Sequence, residues 1–175
     1  VYKALEAHPS AGWSYTDLVG FSGMEYVWCK TFSSGRMTFN NILVNAAAFR
    51  KSVLQEVGGF PEVARHYDED WALYLKLLGK GHHPVHIPVI GFWYRRSDSG
   101  MQQTVRRDDD LRKKSDAYVK ELARDVDIHI TAELYGGALP EGAIRSSYSV
   151  TDRLLAAVMR CRLGMALVKR IYQKK

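Results

Sequence analysis

At 175 residues, 46% of them hydrophobic and 25% charged, the chain is long enough to bury one core and too balanced for a disordered or fibrous protein. The formal charge of +6 is concentrated: residues 151–175 carry seven Lys and Arg against one acid, Asp152, which leaves eighteen charges of each sign in residues 1–150. A neutral body with a basic tail excludes the footprint of a nucleic-acid-binding domain, and no aromatic stacking platform accompanies the tail's charge.

In chain order, residues 2–8 read as the end of a helix stopped by Pro9 and Gly12. Trp13, Tyr15 and Leu18 alternate as in a short strand, and residues 25–30 suggest another. The apolar run at 42–45 predicts a buried strand. Residues 46–57 predict a helix with Phe49, Val53, Leu54 and Val57 on one face, ended by Gly58 and Gly59. A second helix is expected over 70–78, stopped by Gly79 and Gly81. Residues 85–88 and 90–95 read as two short strands or one bent strand. A charged helix spans 104–126 with Val105, Leu111, Tyr118 and Leu122 as its sparse apolar stripe, and 127–150 reads as irregular. Strands and helices alternate rather than segregate, so the fold class is α/β or α+β, with too few strands for a complete doubly wound sheet.

No run of apolar residues reaches the roughly 18 needed to cross a membrane, and no secretory leader opens the chain. Val1 in place of Met points to processing or to a cut from something longer. Cys29 and Cys161 lie far apart and form no motif, which predicts two free thiols in a cytoplasmic protein.

The chemistry is concentrated in Tyr67-Asp68-Glu69-Asp70-Trp71, three carboxylates at a helix start. A helix N-terminus stabilises anions, so capping by Asp68 or Glu69 is one role. Three like charges in a row exceed what capping needs and tend to raise at least one pKa, which suits a general base acting on a hydroxyl. Both roles stay open on spacing alone. His82, His83 and His86 invite a metal reading, and His82 and His86 are expected on one strand face. No Cys or spaced acid completes a tetrahedral set, so no metal site is expected.

Taken in order, Asn40-Asn41, Phe49-Arg50, Gly58-Gly59-Phe60, Glu69-Asp70-Trp71, Gly81, Pro88 and Trp93-Tyr94-Arg95 resemble the second half of the catalytic domain of family 2 glycosyltransferases, the inverting GT-A type. The resemblance covers about residues 1–103. It implies a partial GT-A fold without its nucleotide-binding half, then a connector over 104–150 and C-terminal helices. It also implies Asp70 as general base with Glu69 in support, Gly58 and Gly59 beside an acceptor site, and Trp71 packing beneath it. The donor would be a nucleotide-sugar and the acceptor a saccharide or a lipid-linked saccharide, in cell-envelope or extracellular polysaccharide synthesis.

The family holds a divalent cation, Mg or Mn, through an Asp-X-Asp motif in its first half, and this chain lacks one in a suitable place. Asp108-Asp109-Asp110 has the letters but sits on a charged helix, where a solvated face is expected. The family's His after Tyr-Arg is also absent, which leaves Arg95 or Arg96 to meet diphosphate charge.

In the tail, Leu154, Val158, Cys161, Met165, Val168 and Tyr172 fall at helical spacing, with Thr151 as a natural N-cap. A basic amphipathic helix of this kind either docks on protein or lies on an anionic membrane surface, here the inner face of the plasma membrane. Two other functions fit the same residues: a non-catalytic saccharide- or partner-binding module, and a membrane-tethering protein whose acids merely cap a helix.

Overall fold

A computed structural model describes residues 1–22, 26–28, 31–62, 68–96 and 108–136. The amphipathic tail at 151–175, Cys29, Cys161 and most of the 127–150 connector lie outside the described residues.

The chain is mixed α/β. It runs α1 (Tyr2–Ala7), β1 (Trp13–Ser22), β2 (Tyr26–Trp28), α2 (Ser34–Met37), β3 (Ala47–Phe49), α3 (Lys51–Glu56), α4 (Glu69–Gly79), β4 (Pro84–Arg96), α5 (Asp109–Leu122) and β5 (Glu133–Leu134), with a 3-10 turn at Ala123–Asp125. The five strands form one sheet ordered β2-β1-β4-β5, with β3 also paired to β1. β1 and β4 are parallel, as are β4 and β5, whereas β2 and β3 pair antiparallel to β1.

Alternation along β1 and β4 gives the sheet two buried faces. Trp13 and Tyr15 enter the main core with Phe32, Leu73, Tyr74, Leu77 and Leu78, so α4 covers that face. Val85 and Ile87 face the other way and pack with Ala4, Leu5 and Ala11 under α1. Coverage on both faces is what a parallel strand pair requires. α5 lies against α4, with Leu111, Tyr118 and Leu122 around Ala72.

Several expected elements change character. Residues 42–45 form no strand. Ile42 and Leu43 are buried, but the carbonyl oxygens of Ile42 and Val44 go to Trp28 Nε1 (3.0 Å) and the Tyr74 hydroxyl (2.9 Å) instead of to a ladder. The helix expected from residue 46 starts only at Lys51, because 47–49 pair with β1 in the register Trp13↔Phe49. Arg50 closes this junction: Nε donates to Ala11 O at 2.9 Å, and Nη2 donates to Leu5 O and His8 O, satisfying carbonyls at the end of α1.

Of the two readings of 85–95, one bent strand is found. Between Thr16 and Leu18 the parallel register with β4 shifts twice, so Thr16↔Ile87 is followed by Asp17↔Ile90 and Leu18↔Phe92. The extra β4 residues bulge there, which bends the strand. A 13-residue strand is about 40 Å long when extended and the 11-residue α4 about 16 Å, so the far end of β4 outruns its cover. Val89, Ile90 and Trp93 are accordingly exposed.

Candidate functional site

Asp70 stands in the first turn of α4, where its half-buried carboxyl competes for the free N–H groups of the helix start. Its Oδ1 accepts from Trp71 N at 2.7 Å and from Asn41 Nδ2 at 3.2 Å, and among the described residues neither bond falls on Oδ2. Burial pushes the Asp70 carboxyl up to about 6, the charges of Glu69 and Asp68 push the same way, and the Trp71 and Asn41 bonds pull back. The order of these effects matters. Loss of water around the ionised carboxylate outweighs its hydrogen bonds, which leaves a group that accepts protons near neutrality.

The neighbourhood is built to hold that carboxylate still. Asn41 Oδ1 accepts from Leu43 N at 3.1 Å, which orients the amide toward Asp70. Trp71 donates its indole N–H to Met37 O at 2.6 Å, and its ring packs against the main core. The Tyr74 hydroxyl reaches Val44 O, so one face of α4 is sewn to the 37–44 segment at three points.

Of the two acids expected to cap the helix, Asp68 does not do so. Asp68 occupies the N-cap position but adopts a left-handed backbone, φ +46°, and makes no side-chain capping bond. Its Oδ2 instead accepts from Ser115 Oγ on α5. Asp108, at the start of α5, is the contrast: φ is −105° and Oδ1 accepts from Asp110 N and Leu111 N, both at 3.0 Å. The Asp108-Asp109-Asp110 run is thus a helix cap followed by two exposed acids.

The remaining expected site residues are more scattered. Gly58 and Gly59 have φ of +70° and +67°, and a Cβ at either would meet nothing within 4 Å, so backbone conformation is what requires glycine there. Lys76 Nζ donates to Gly59 O at 3.0 Å, which ties the turn to α4. Lys76 lies six residues beyond Asp70, about 9 Å along the helix at 1.5 Å per residue. Arg95 sits exposed on the far part of β4, and no hydrogen bond or ion pair joins it to Asp70 among the described residues. The Arg96 side chain lies outside them.

The histidines do not share a face. His82 Nε2 pairs with Glu56 at 2.9 Å, His83 Nε2 with Glu133 at 2.6 Å, and His86 Nε2 with Asp17 at 2.8 Å. His82 precedes β4, whereas His86 is inside it, stacked on Tyr15 with ring centroids 4.5 Å apart. Among the described residues no three His, Cys, Asp or Glu side chains converge in a way that would hold a metal ion.

A small cleft between β1 and the 42–46 segment is lined by Thr16, Asp17, Leu18, Trp28, Leu43 and Val44 and does not include Asp70. Asn41 carried a sequence signal as part of the Asn40-Asn41 pair, but not its role as the donor to Asp70. Ser115 carried none: a serine inside a charged helix looks like any solvated position. No helix among the described residues is long and apolar enough to cross a membrane. No family model, curated protein or solved structure matches the chain.

Proposed function

We propose that the chain is the acceptor-side half of an inverting glycosyltransferase domain that uses a nucleotide-sugar donor and a saccharide or lipid-linked acceptor, with Asp70 as general base. The observation that carries the reading is the Asp70 carboxyl itself: oriented by Asn41 and Trp71, pushed up to about 6 by burial, and without a hydrogen bond on Oδ2 among the described residues. A base with a pKa close to neutral combines a usable ionised fraction with a real drive to take a proton.

In the proposed reaction Asp70 takes the proton of an acceptor hydroxyl as that oxygen bonds the anomeric carbon. The bond from that carbon to the nucleoside diphosphate breaks on the opposite face, and the electron pair leaves with the diphosphate. Glu69 and Asp68 raise the basicity of Asp70 through their charge. Binding of the donor, with any divalent cation, falls to a preceding half of the domain in a longer parent. Support for membrane contact by residues 151–175 is the tail's charge and apolar periodicity.

The test is sugar transfer by the natural full-length protein from a panel of radiolabelled UDP-, GDP- and dTDP-sugars. Asp70→Asn should keep donor binding and lower turnover by about 10²–10⁴-fold, the usual worth of a general base. The 175-residue chain alone should transfer nothing. Near wild-type turnover in a folded Asp70→Asn protein would remove Asp70 from the mechanism, and no transfer from any donor by the wild type would remove the transferase reading.

A further inference from the structure

We infer that Ser115 is a positioning residue of the acidic site, holding the Asp68 side chain away from the start of α4 so that the Trp71 N–H is left to orient Asp70.

Two carboxylates compete at the start of α4. An N-cap aspartate ordinarily takes the N–H of the second or third helical residue, and for α4 those residues are Asp70 and Trp71. Asp108 does this at the start of α5, accepting from the equivalent Asp110 and Leu111. At α4 the Trp71 N–H is already bonded to Asp70 Oδ1 at 2.7 Å. Asp68 and Asp70 therefore have claims on one donor, and only one of them holds it.

Two features show how the competition is decided. Asp68 is the one non-glycine among the described residues with a positive φ, whereas a capping aspartate uses the extended region, as Asp108 does. And the Asp68 carboxylate is engaged elsewhere, accepting from the Ser115 hydroxyl across 47 positions of sequence. Ser115 is 1% exposed on a helix whose charged residues are all exposed, so its hydroxyl has little water to turn to. α5 is pinned at this height by Leu111, Tyr118 and Leu122 around Ala72 and by Val119 in the main core. The segment beyond the glycosyltransferase-like part of the chain thus reaches back to set the geometry of the acids.

Among the described residues, the charged and titratable groups around Asp70 are Asp68 and Glu69 at the start of its own helix and the phenol of Tyr74, and the loop contributes neutral Asn41. Removing the Ser115 hydroxyl releases Asp68 to relax to the extended backbone of a cap and take the Trp71 N–H. Asp70 then loses a bond that favours its ionised form and keeps a carboxylate beside it. The catalytic meaning of this role rests on the function proposed above, but the positioning itself does not, and its test needs no turnover.

The measurement is the titration of the Asp70 side chain and the Trp71 amide by NMR in the labelled 175-residue chain. Ser115→Ala should raise the Asp70 midpoint by roughly half a pH unit or more and move the Trp71 amide signal, the scale expected for loss of one hydrogen bond. Ser115→Thr, which keeps the hydroxyl, should restore the wild-type midpoint. Asp68→Gly suits the left-handed backbone and removes both the competitor and its charge, so it should lower the midpoint through the lost charge and make Ser115→Ala silent when the two are combined. An unchanged midpoint in folded Ser115→Ala overturns the inference, as does a Ser115→Ala effect that persists in the Asp68→Gly background. Should Ser115→Ala fail to fold, Ser115→Cys, which fills the space with only a weak donor, takes its place, and an unchanged Asp70 midpoint and Trp71 amide there are equally fatal.

Discussion

Asn41 donates its side-chain amide to Asp70 Oδ1 across 3.2 Å while its own oxygen accepts the Leu43 N–H, so one neutral side chain couples a loop to a carboxylate 29 positions away. A neutral partner of this kind fixes direction without supplying charge. A lysine or arginine in its place would hold the carboxylate ionised and far below neutrality, useful as an anchor and poor as a base. With Asn41 the balance stays with burial, and Asp70 remains protonatable in the range where a general base works.

That balance has a cost in stability with a defined sign. Below the ordinary value of 3.8, Asp70 is protonated in both the folded and unfolded chains. As pH rises toward about 6 the unfolded chain has released the proton while the folded chain keeps it, and the stability that difference supplied is lost through this window. The rise from 3.8 to about 6 corresponds to about 3 kcal/mol as an upper bound, since the group is only half-buried. Asn accepts the same two hydrogen bonds without a charge to desolvate. Asp70→Asn should therefore be more stable than wild type by on the order of 1–3 kcal/mol at pH 8 and no different at pH 3. Urea denaturation at both pH values checks this, and an equal difference at pH 3 and pH 8 would exclude ionisation of Asp70 as its cause.

The parts of this molecule that the sequence made legible are those specified locally. α4 was readable because Gly79 and Gly81 mark where it stops. Its acids were readable because three carboxylates in a row are unusual whatever surrounds them. Residues 46–49 misled in the other direction: alanine favours helix, but Ala47, Ala48 and Phe49 pair with Tyr15, Ser14 and Trp13 of β1, which overrides that preference. Ile42 and Leu43 misled because an apolar run signals burial, and burial is equally well met by an irregular segment whose carbonyls find side-chain donors. What no local pattern encodes is contact across the chain. The Asp17–His86 pair, the Ser115–Asp68 bond and the two register shifts in β4 all depend on which elements the fold brings side by side.

At the other edge of the sheet, Glu133 accepts from His8, from His83 Nε2 at 2.6 Å and from Ser10 Oγ at 3.1 Å, joining β5 to the end of α1 and the start of β4. The His8 bond, followed by that of His83, holds the Glu133 carboxyl down at about 2. Because this pKa is depressed, its contribution to stability is present above the ordinary 4.5 and is lost as pH falls toward 2. β5 should loosen in that window. The Tyr135 N–H, which donates to His86 O at 2.9 Å, is the reporter, and its hydrogen-exchange protection should fall between pH 4.5 and 2 in wild type. In Glu133→Gln the protection should be lower at the start and flat across the window. Equal pH dependence in both proteins would place the acid sensitivity elsewhere.

The bulged crossing of β1 and β4 brings the two strands close together at Gly91. Gly91 lies where the register shifts past Asp17, and a Cβ built on it would stand 2.7, 2.8 and 2.9 Å from Oγ1, Cγ2 and Cβ of Thr16. Those separations are well inside van der Waals contact, and Thr16, branched at Cβ and held in a strand, has little rotamer freedom with which to give way. Gly91→Ala should destabilise the fold by about 1–3 kcal/mol, the usual cost of overpacking, although residue 91 itself is exposed. Thr16→Gly removes all three contacting atoms, and on that background Gly91→Ala should cost much less, because the two residues couple only through this contact. A four-member cycle of thermal or urea denaturation reads the coupling directly. If Gly91→Ala costs the same with Thr16 present or absent, the glycine serves the bulge backbone and not the close approach of β1.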